Sequence, residues 1–209
     1  IGSYKILEKG NNNHDLFVLK NNILIATIDI EDEIKENTNE VITEVNSFGI
    51  NTSLLSGDKK EKCKYLSDKI SFNSVYSEQL PHEKLEIIKQ CSLSETTAMI
   101  GDGINDAPSL SIASVGISVG GSTGVAIQSS DVVLLNKNNL KQLTTALKIS
   151  KHTFLTIKQN LFWAFAYNIV AIPIAAMGYL NPMWGALFMA FSDVIVIGNS
   201  IRLKYKKLN

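Results

Sequence analysis

Two aspartates and an asparagine lie in a glycine-containing stretch that directly follows an apolar run. The stretch is IGDGINDAP at residues 100–108, and it places Asp102, Asn105 and Asp106 behind the run TTAMI. The run predicts a short buried strand, which Gly101 ends. Ligands of open α/β sheets bind at the carboxyl ends of strands, and carboxylate oxygens there favour Mg²⁺ together with a phosphate. The pattern therefore predicts a magnesium-dependent phosphate site at the carboxylates Asp102 and Asp106.

Gly101 and Gly103 allow the backbone of this stretch to turn sharply and to approach a ligand closely. A purely structural interpretation, in which the DG and ND dipeptides only form turns, would be reasonable for either dipeptide alone. Their combination within residues 100–108 favours a functional site.

Strands and helices are predicted to alternate before this stretch and after it. Short connections between alternating elements imply a parallel, doubly wound sheet, so the expected fold class is α/β. The predicted strands cover residues 23–28, 51–55, 96–100, 115–120 and 132–135, and the predicted helices cover residues 34–48, 58–70, 81–90 and 108–113.

The character of the chain changes beyond about residue 151, where two apolar segments follow. Residues 161–180 carry no charged side chain and have the length of a bilayer-crossing helix. Residues 183–203 after Asn181-Pro182 are nearly as apolar, although they contain Asp193 and Arg202, so a hairpin of two transmembrane helices is predicted. The alternative is a buried helical hairpin of a soluble protein. Basic residues flank the outer ends of the hairpin and predict that these ends, and the α/β domain, are cytoplasmic: Lys151 and Lys158 before the first segment, and Arg202 and Lys204 at the end of the second.

Composition narrows the classes of partner. The 20 basic and 20 acidic residues cancel, so bulk electrostatics do not favour nucleic-acid binding. The two cysteines form no CxxC pair, which leaves a disulfide framework or a cysteine metal site without support. The chain opens with IGSYKILEKG and no initiating methionine, so we expect a fragment of a longer protein.

Three motifs together resemble the P-type ATPases, ion pumps whose phosphorylation domain is haloacid dehalogenase-like. MIGDGINDAPSL at residues 99–110 resembles their hinge motif, Ser56-Gly57-Asp58 resembles their Thr-Gly-Asp motif, and LPHEK at residues 80–84 resembles the segment with a phosphate-contacting lysine. The resemblance implies Mg²⁺ and ATP as cofactors, with ATP bound mainly by regions outside this chain. It also implies catalytic roles for Ser56, Asp58, Lys84, Asn105 and Asp106, a magnesium ligand at Asp102 with Asp106 in support, and backbone contacts at Gly101 and Gly103.

The Asp-Lys-Thr-Gly loop that carries the phosphorylated aspartate of P-type ATPases does not occur in the 209 residues. Without this nucleophile no covalent intermediate forms, so we expect an incomplete sheet and an inactive isolated chain. The resemblance then implies a remnant of a nucleotide-binding domain at residues 1–20, part of the phosphorylation domain at 21–150 and a membrane region at 151–209. The partner would be the missing amino-terminal part of the pump.

Polar residues within the two apolar segments are candidates for binding the transported ion, because polar groups at membrane depth are costly. The pattern NLFWAFAYN with MAFS resembles the copper(I) exporters among the heavy-metal pumps, and a methionine thioether suits soft Cu⁺. Asp193 supplies a hard oxygen instead, so zinc or cobalt transport is the alternative. The candidate ligands are Tyr167, Asn168, Met189, Ser192 and Asp193.

Two further hypotheses come from other classes of protein. One is a truncated membrane remnant without catalytic function. The other is a membrane-tethered phosphatase with Asp29 as nucleophile, which is disfavoured because residue 31 is a glutamate where such enzymes usually have a second aspartate.

Overall fold

The computed structural model describes residues 1–2, 14, 16–30, 34–136, 139–179 and 181–206. It divides the chain into two units, Ile1–Lys35 and Glu36–Asn209. This division does not coincide with the predicted boundary after residue 20, and the assignment of the first segment to a nucleotide-binding domain stays a prediction. Glu31, Asp32 and Leu180, which the sequence patterns included, lie outside the described residues.

A β-hairpin forms the described part of the first unit. Strands β1 (Leu16–Lys20) and β2 (Ile23–Ile28) pair antiparallel. Asn21 and Asn22 join them with φ angles of 51° and 61°, the left-handed conformation that a two-residue type I′ turn requires. The predicted strand at 23–28 is therefore confirmed, but its expected place in the parallel sheet is wrong. A parallel neighbour needs a long crossover connection, whereas this strand returns at once along β1.

The second unit contains short parallel strands that alternate with helices, which confirms the α/β class. Strand β4 and helix α5 had not been predicted, because each is short and lacks a clear periodic pattern. The elements are α1 (Thr38–Ser47), β3 (Ser53–Leu55), α2 (Lys60–Lys69), β4 (Ser74–Tyr76), α3 (Pro81–Ser94), β5 (Ala98–Gly101), α4 (Ala107–Ile112), β6 (Val115–Ser118), α5 (Gly124–Gln128) and β7 (Val132–Val133).

The strands form two separate parallel sheets, β3-β4 and β5-β6-β7. Among the described residues, β3 pairs only with β4 and β5 pairs only with β6, so each has one open edge. These are the two strands that lead into Ser56 and Asp102. The prediction of an incomplete sheet is confirmed.

Alternating side chains of β6 divide the core of the second unit between two faces. Val115 and Ile117 lie on the face that packs against α1 and the start of α6 (Lys141–Ala176). Gly116 points to the opposite face, where an added Cβ would meet the carbonyl oxygen of Leu110 at 2.5 Å. This second face carries the buried cluster Ile88, Met99, Leu110 and Ala126. The sheet thus has helices on both faces.

Two long helices, α6 and α7 (Pro182–Lys204), are long and apolar enough to cross a membrane. Helix α6 begins twenty residues or so before the predicted span, because its first turns bury Leu143 and Thr144 against the α/β core. The side chain of Asn181 accepts a hydrogen bond from the backbone N–H of Met183 at 3.0 Å and caps the start of α7. One helix therefore runs without interruption from the α/β core into the apolar hairpin.

Candidate functional site

Asp102 follows the last residue of β5, at the carboxyl end of the sheet, and is exposed. Its backbone carbonyl accepts a hydrogen bond from the N–H of Thr123 at 3.0 Å. The hydroxyl of Thr123 in turn accepts from the N–H of Ala126 at 3.3 Å and caps α5. The loops that follow β5 and β6 are therefore tied together, and the Asp102 side chain is left open toward solvent.

Lys84 and Asp106 form an ion pair that involves the same loop as Asp102, close to Gly101 at the end of β5. The Lys84 Nζ lies 3.0 Å from the Asp106 Oδ1, and the two side chains are only 14% and 15% exposed. Helix α3 positions the lysine: it starts at Pro81, and the Glu83 carboxylate accepts a hydrogen bond from the backbone N–H of Leu80 at 2.7 Å. The sequence motifs on α3 and after β5 thus meet in space.

Gly101 is required by the close approach of Asp106. A Cβ at Gly101 would lie 2.7 Å from the Cβ of Asp106 and 3.1 Å from its Oδ2. At Gly103 the nearest side-chain atom would be 3.7 Å away, an ordinary contact. Of the two glycines, only Gly101 is sterically constrained by the site.

Ser56 and Asp58 form a local hydrogen-bonded turn at the end of β3. The Ser56 hydroxyl donates to the Asp58 Oδ2 at 2.7 Å and accepts from the Asp58 N–H at 3.1 Å. The N–H of Ser56 donates to the carbonyl of Tyr76 on β4 at 2.9 Å, which anchors the turn to the sheet. The Cys63 thiol lies behind the turn, fully buried, and burial raises its pKa above the ordinary 9.0.

The structure brings some predicted site residues together and leaves others apart. Lys84 contacts Asp106, and Ser56 contacts Asp58, but Asp102 and Asn105 are exposed. Across the described ranges, no group of three His, Cys, Asp or Glu side chains could enclose a metal ion. One exposed carboxylate at a strand end nevertheless fits Mg²⁺, which binds one or two protein carboxylates and fills its shell with water and phosphate oxygens.

The membrane hairpin contains an apolar cavity of about 470 Å³ between α6 and α7. Of the five predicted ion ligands, Tyr167 and Ser192 line this cavity. The Tyr167 hydroxyl donates to the carbonyl of Gly185 at 3.2 Å. Asn168 bonds to the Ala164 carbonyl of its own helix at 2.8 Å. Together with Met189 and Asp193, it is exposed on the surface of the hairpin.

A polar network also joins α6 to α7 through Asn160 and Asn199, which the sequence places in or beside the apolar segments but which were not among the predicted ion ligands. Asn199 Nδ2 donates to Asn160 Oδ1 at 2.8 Å and to Gln159 Oε1 at 3.3 Å. Asn160 Nδ2 donates to the Ser200 hydroxyl at 2.9 Å. The signal in the sequence was the presence of carboxamides within apolar segments, but their pairing across two helices needs the tertiary structure.

Comparison with known proteins gives consistent results for family and fold. The family model of haloacid dehalogenase-like hydrolases matches residues 5–113. "Copper-transporting ATPase 2" of Rhizobium meliloti is 42% identical over 190 residues, which cover 87% of this chain and 23% of that protein. "Copper-exporting P-type ATPase B" of Archaeoglobus fulgidus is 37% identical, with 90% of this chain and 28% of that protein covered.

A solved structure of a zinc-transporting PIB-type ATPase in its E2.Pi state is similar to this chain with a TM-score of 0.79 and 26% identity. The match covers 90% of this chain and 31% of that one. The chain therefore spans about a quarter of the length of the curated relatives that it matches.

Proposed function

Because the chain belongs to the haloacid dehalogenase-like hydrolase family, we propose that it forms the phosphorylation-domain and membrane-hairpin part of a copper(I)-exporting P-type ATPase. The observation that carries this proposal is the Lys84–Asp106 pair, at 3.0 Å, in the loop that also carries the exposed Asp102 at the end of β5. An ammonium and an open carboxylate at one strand end suit a phosphoryl group and its Mg²⁺. The resemblance to copper pumps along both the α/β unit and the hairpin supports the transport function.

Each side chain of the site has a specific role in this proposal. The Lys84 ammonium has three N–H donors, of which the bond to Asp106 uses one, so the others can hold phosphoryl oxygens. The Ser56 hydroxyl provides a further donor once it turns away from Asp58. Asp102 would hold Mg²⁺, which when bound offsets the charge that develops on the phosphoryl group.

The open edges of β3 and β5 support the proposal that the rest of the pump supplies a further strand to this sheet. Parallel strands of α/β proteins are ordinarily flanked on both sides, yet these two strands each lack one neighbour among the described residues. A strand that supplies the phosphorylated aspartate would complete the sheet between Ser56 and Asp102. The isolated chain is therefore expected to be inactive.

A phosphorylation assay with radiolabelled ATP and Mg²⁺ tests this part of the proposal. The purified chain alone should form no acid-stable, hydroxylamine-sensitive phosphoenzyme. Co-expression with the region of the Rhizobium meliloti relative that precedes the match should restore labelling on the added region, and Lys84→Ala or Asp106→Ala should abolish it. Label on the isolated chain, with Asp29 as the first position to examine, would overturn the proposal.

Copper(I) is the proposed cargo because the relatives that match this chain at 37–42% identity are named for copper. The phenol of Tyr167 and the hydroxyl of Ser192 share the cavity between the helices, and the Met189 thioether provides a soft ligand on the exposed face of α7. The affinity of the chain for Cu⁺ can be measured in lipid nanodiscs by competition with a chromophoric Cu⁺ chelator. Met189→Leu should weaken Cu⁺ binding, whereas the matched control Met183→Leu at the start of α7 should not.

Zinc is the second candidate, and Asp193 is the observation that favours it. A carboxylate is a hard ligand suited to a divalent ion, and the zinc pump structure shares the fold of this chain. If zinc is the cargo, Asp193→Ser should abolish Zn²⁺ binding, and Met189→Leu should leave the affinity for Zn²⁺ unchanged. If the unaltered chain binds Zn²⁺ more tightly than Cu⁺, zinc replaces copper as the proposed cargo.

Both ends of the hairpin are proposed to be cytoplasmic, and the basic residues at its outer ends support this: Lys151, Lys158, Arg202 and Lys204. Cys91 on α3 is exposed and free, so it reports the side on which the α/β unit lies. A membrane-impermeant maleimide should label Cys91 only after cells are permeabilised. Labelling in intact cells would place the α/β unit outside.

A further inference from the structure

A network of carboxamides links α6 to α7, in addition to the hydrogen bond that the Tyr167 hydroxyl donates to the Gly185 carbonyl between the same helices at 3.2 Å. Asn199 donates to Asn160 at 2.8 Å, and Asn160 donates to Ser200 at 2.9 Å, so both carboxamides bridge the two helices. Ser200 also donates to the Val196 carbonyl of its own helix at 2.8 Å. Large apolar side chains, such as Phe162 and Ile197, which are 64% and 57% exposed, lie within two residues of the network on each helix, together with the polar Gln159.

Hydrogen bonds of this kind are well suited to hold two helices together in a bilayer. Asn160 and Asn199 lie near Lys158 and Arg202, at the basic end of the hairpin, so interfacial water would replace the lost partners of a separated carboxamide only in part. Packing between lipid-facing apolar side chains, by contrast, has little rotational preference, because lipid tails are as apolar as the side chains. The network therefore specifies the relative rotation of α6 and α7 more sharply than their apolar contacts do.

The position of the network relates it directly to the candidate ion ligands. Tyr167 follows Asn160 by about two helical turns on α6, and Ser192 precedes Asn199 by about two turns on α7. Residues two turns apart share one face of a helix, so the faces that carry the network are the faces that carry Tyr167 and Ser192. Both of these residues line the cavity.

The next residue along each helix is rotated by about 100° from this face. These residues are Asn168 and Asp193, which are exposed and do not line the cavity. A rotation of either helix by one residue would therefore exchange a phenol for a carboxamide, or a hydroxyl for a carboxylate. The chemical character of the cavity depends on the rotation that the network holds.

We propose that Asn160 and Asn199 form a carboxamide latch that fixes the rotation of α6 against α7 and thereby selects Tyr167 and Ser192, rather than Asn168 and Asp193, for the cavity. The two asparagines act as positioning residues and need not contact the ion. The significance of the selection rests on the proposed transport function, but the latch itself does not.

Disulfide cross-linking in the 209-residue chain, reconstituted in lipid nanodiscs without metal, tests the latch. The inward pair Ala166→Cys with Ile195→Cys joins two positions that line the cavity. The outward pair Ile169→Cys with Val194→Cys joins two positions that are 71% and 65% exposed. Cys91→Ser removes the exposed native thiol, and Cys63 stays buried in the background.

In the latched chain the inward pair should form its disulfide much faster than the outward pair. Asn199→Ala and Asn160→Ala should each lower the inward rate by about threefold to tenfold, the range expected for interhelical hydrogen bonds in membranes. The double variant should fall further than either single variant, because Asn199→Ala leaves the bond from Asn160 to Ser200 and Asn160→Ala leaves the bond from Asn199 to Gln159. Asn199→Gln, which keeps a carboxamide, should recover part of the rate.

The matched control is Thr156→Val, which removes a hydroxyl that bonds at 3.0 Å only to the His152 carbonyl within α6. An inward rate in Asn199→Ala equal to that of the Thr156→Val control would overturn the latch. If Asn199→Ala loses helical content by circular dichroism, Ser200→Ala decides instead, since it removes a single hydroxyl from the network. If the inward pair forms its disulfide at an unchanged rate in both the Ser200→Ala and the Asn160→Ala variant, the latch is likewise rejected.

The result of the cross-linking experiment does not depend on which ion the protein transports. A firm latch in a chain that binds neither Cu⁺ nor Zn²⁺ would contradict the proposed function and leave the latch intact. If the latch is absent but the chain binds copper, the latch is contradicted and the proposed function stands.

Discussion

The ammonium of Lys84 lies 3.0 Å from the carboxylate of Asp106, although 22 positions separate the two residues in the sequence. The pair joins α3 to the loop after β5, and both side chains are about 15% exposed. Removal of one partner of a mostly buried ion pair leaves the other charge without compensation, which is far more costly than replacing both. The pair is therefore expected to stabilise the fold, in addition to the phosphate-binding role that is proposed for it.

Lys84→Met should lower the local free energy of unfolding by about 3 kcal/mol, because the Asp106 carboxylate stays behind unpaired. The double variant Lys84→Met with Asp106→Leu should recover part of that loss. Amide hydrogen exchange over residues 98–118 measures the effect. The control is Lys89→Met on the exposed side of α3, where a change within about 0.5 kcal/mol is expected. Equal effects of the two lysine variants would contradict the importance of the pair.

Gly101→Ala should destabilise the loop after β5 by about 1 to 3 kcal/mol, since its Cβ would lie 2.7 Å from the Cβ of Asp106. The same hydrogen-exchange measurement applies. Gly124→Ala is the matched control, because nothing lies within 4 Å of its added Cβ and alanine favours the helix that begins there. A Gly101→Ala chain as stable as the control would show that Asp106 does not approach the strand end as closely as described.

Glu44 should make the junction between α1 and α6 sensitive to acid. Hydrogen bonds from Lys148 and Thr144 hold the pKa of Glu44 below the ordinary 4.5. A carboxyl with a lowered pKa stabilises the folded state at pH values above 4.5, and this contribution is lost as the pH falls through its folded-state pKa. Lys148→Met should move the Glu44 pKa back toward 4.5, as measured by carboxyl NMR titration.

The control for this titration is Lys64→Met on α2, which should leave the Glu44 pKa unchanged. In acid unfolding experiments, Glu44→Gln should flatten the loss of stability below pH 4.5. An unaltered acid profile in Glu44→Gln would be evidence that the 2.9 Å bond to Lys148 does not persist in solution.

Cys63 and Cys91 should differ strongly in reactivity. Cys63 is fully buried and its thiol has a raised pKa, whereas Cys91 is exposed. At neutral pH a maleimide should label Cys91 rapidly and Cys63 only when α2 opens. A Cys91→Ser chain should accordingly show almost no fast labelling, and fast labelling in that variant would contradict the burial of Cys63.

The raised pKa of Cys63 also predicts alkaline sensitivity. A thiol with a raised pKa favours the folded state below pH 9.0, and this contribution is lost as the pH rises through and above 9.0, where the unfolded chain ionises first. Cys63→Ala should therefore reduce the fall in stability between pH 9 and higher values, as measured by thermal unfolding at each pH. An identical alkaline profile in the variant would show that another group ionises.

Sequence patterns predicted elements well where the signal was local. The apolar run before Gly101 and the proline after Asp106 mark a strand, a turn and a helix start, and the structure has β5 and α4 there. Prediction failed where pairing decided the outcome. The residues of β2 suit a strand with a parallel or an antiparallel neighbour. Only the left-handed turn at Asn21 and Asn22 directs the strand to an antiparallel neighbour.

The start of α6 shows a second kind of failure. Apolar composition identifies the membrane segment but not the polar turns before it, where Leu143 is buried against the core of the α/β unit. Those turns are stabilised by tertiary packing rather than by a pattern that a hydropathy window detects. The continuous helix from Lys141 to Ala176 therefore appears only in the structure.

By itself the sequence determined which chemical groups this protein has and at which ends of its strands and helices they lie, because turns, strand ends and apolar spans are encoded within a few neighbouring residues. Only the tertiary structure decided which of these groups meet. The contact of Lys84 with Asp106, the open edges of β3 and β5, and the rotation that turns Tyr167 rather than Asn168 toward the cavity all depend on packing between distant segments. Such packing depends on the relative placement of whole elements, which no local run of residues specifies.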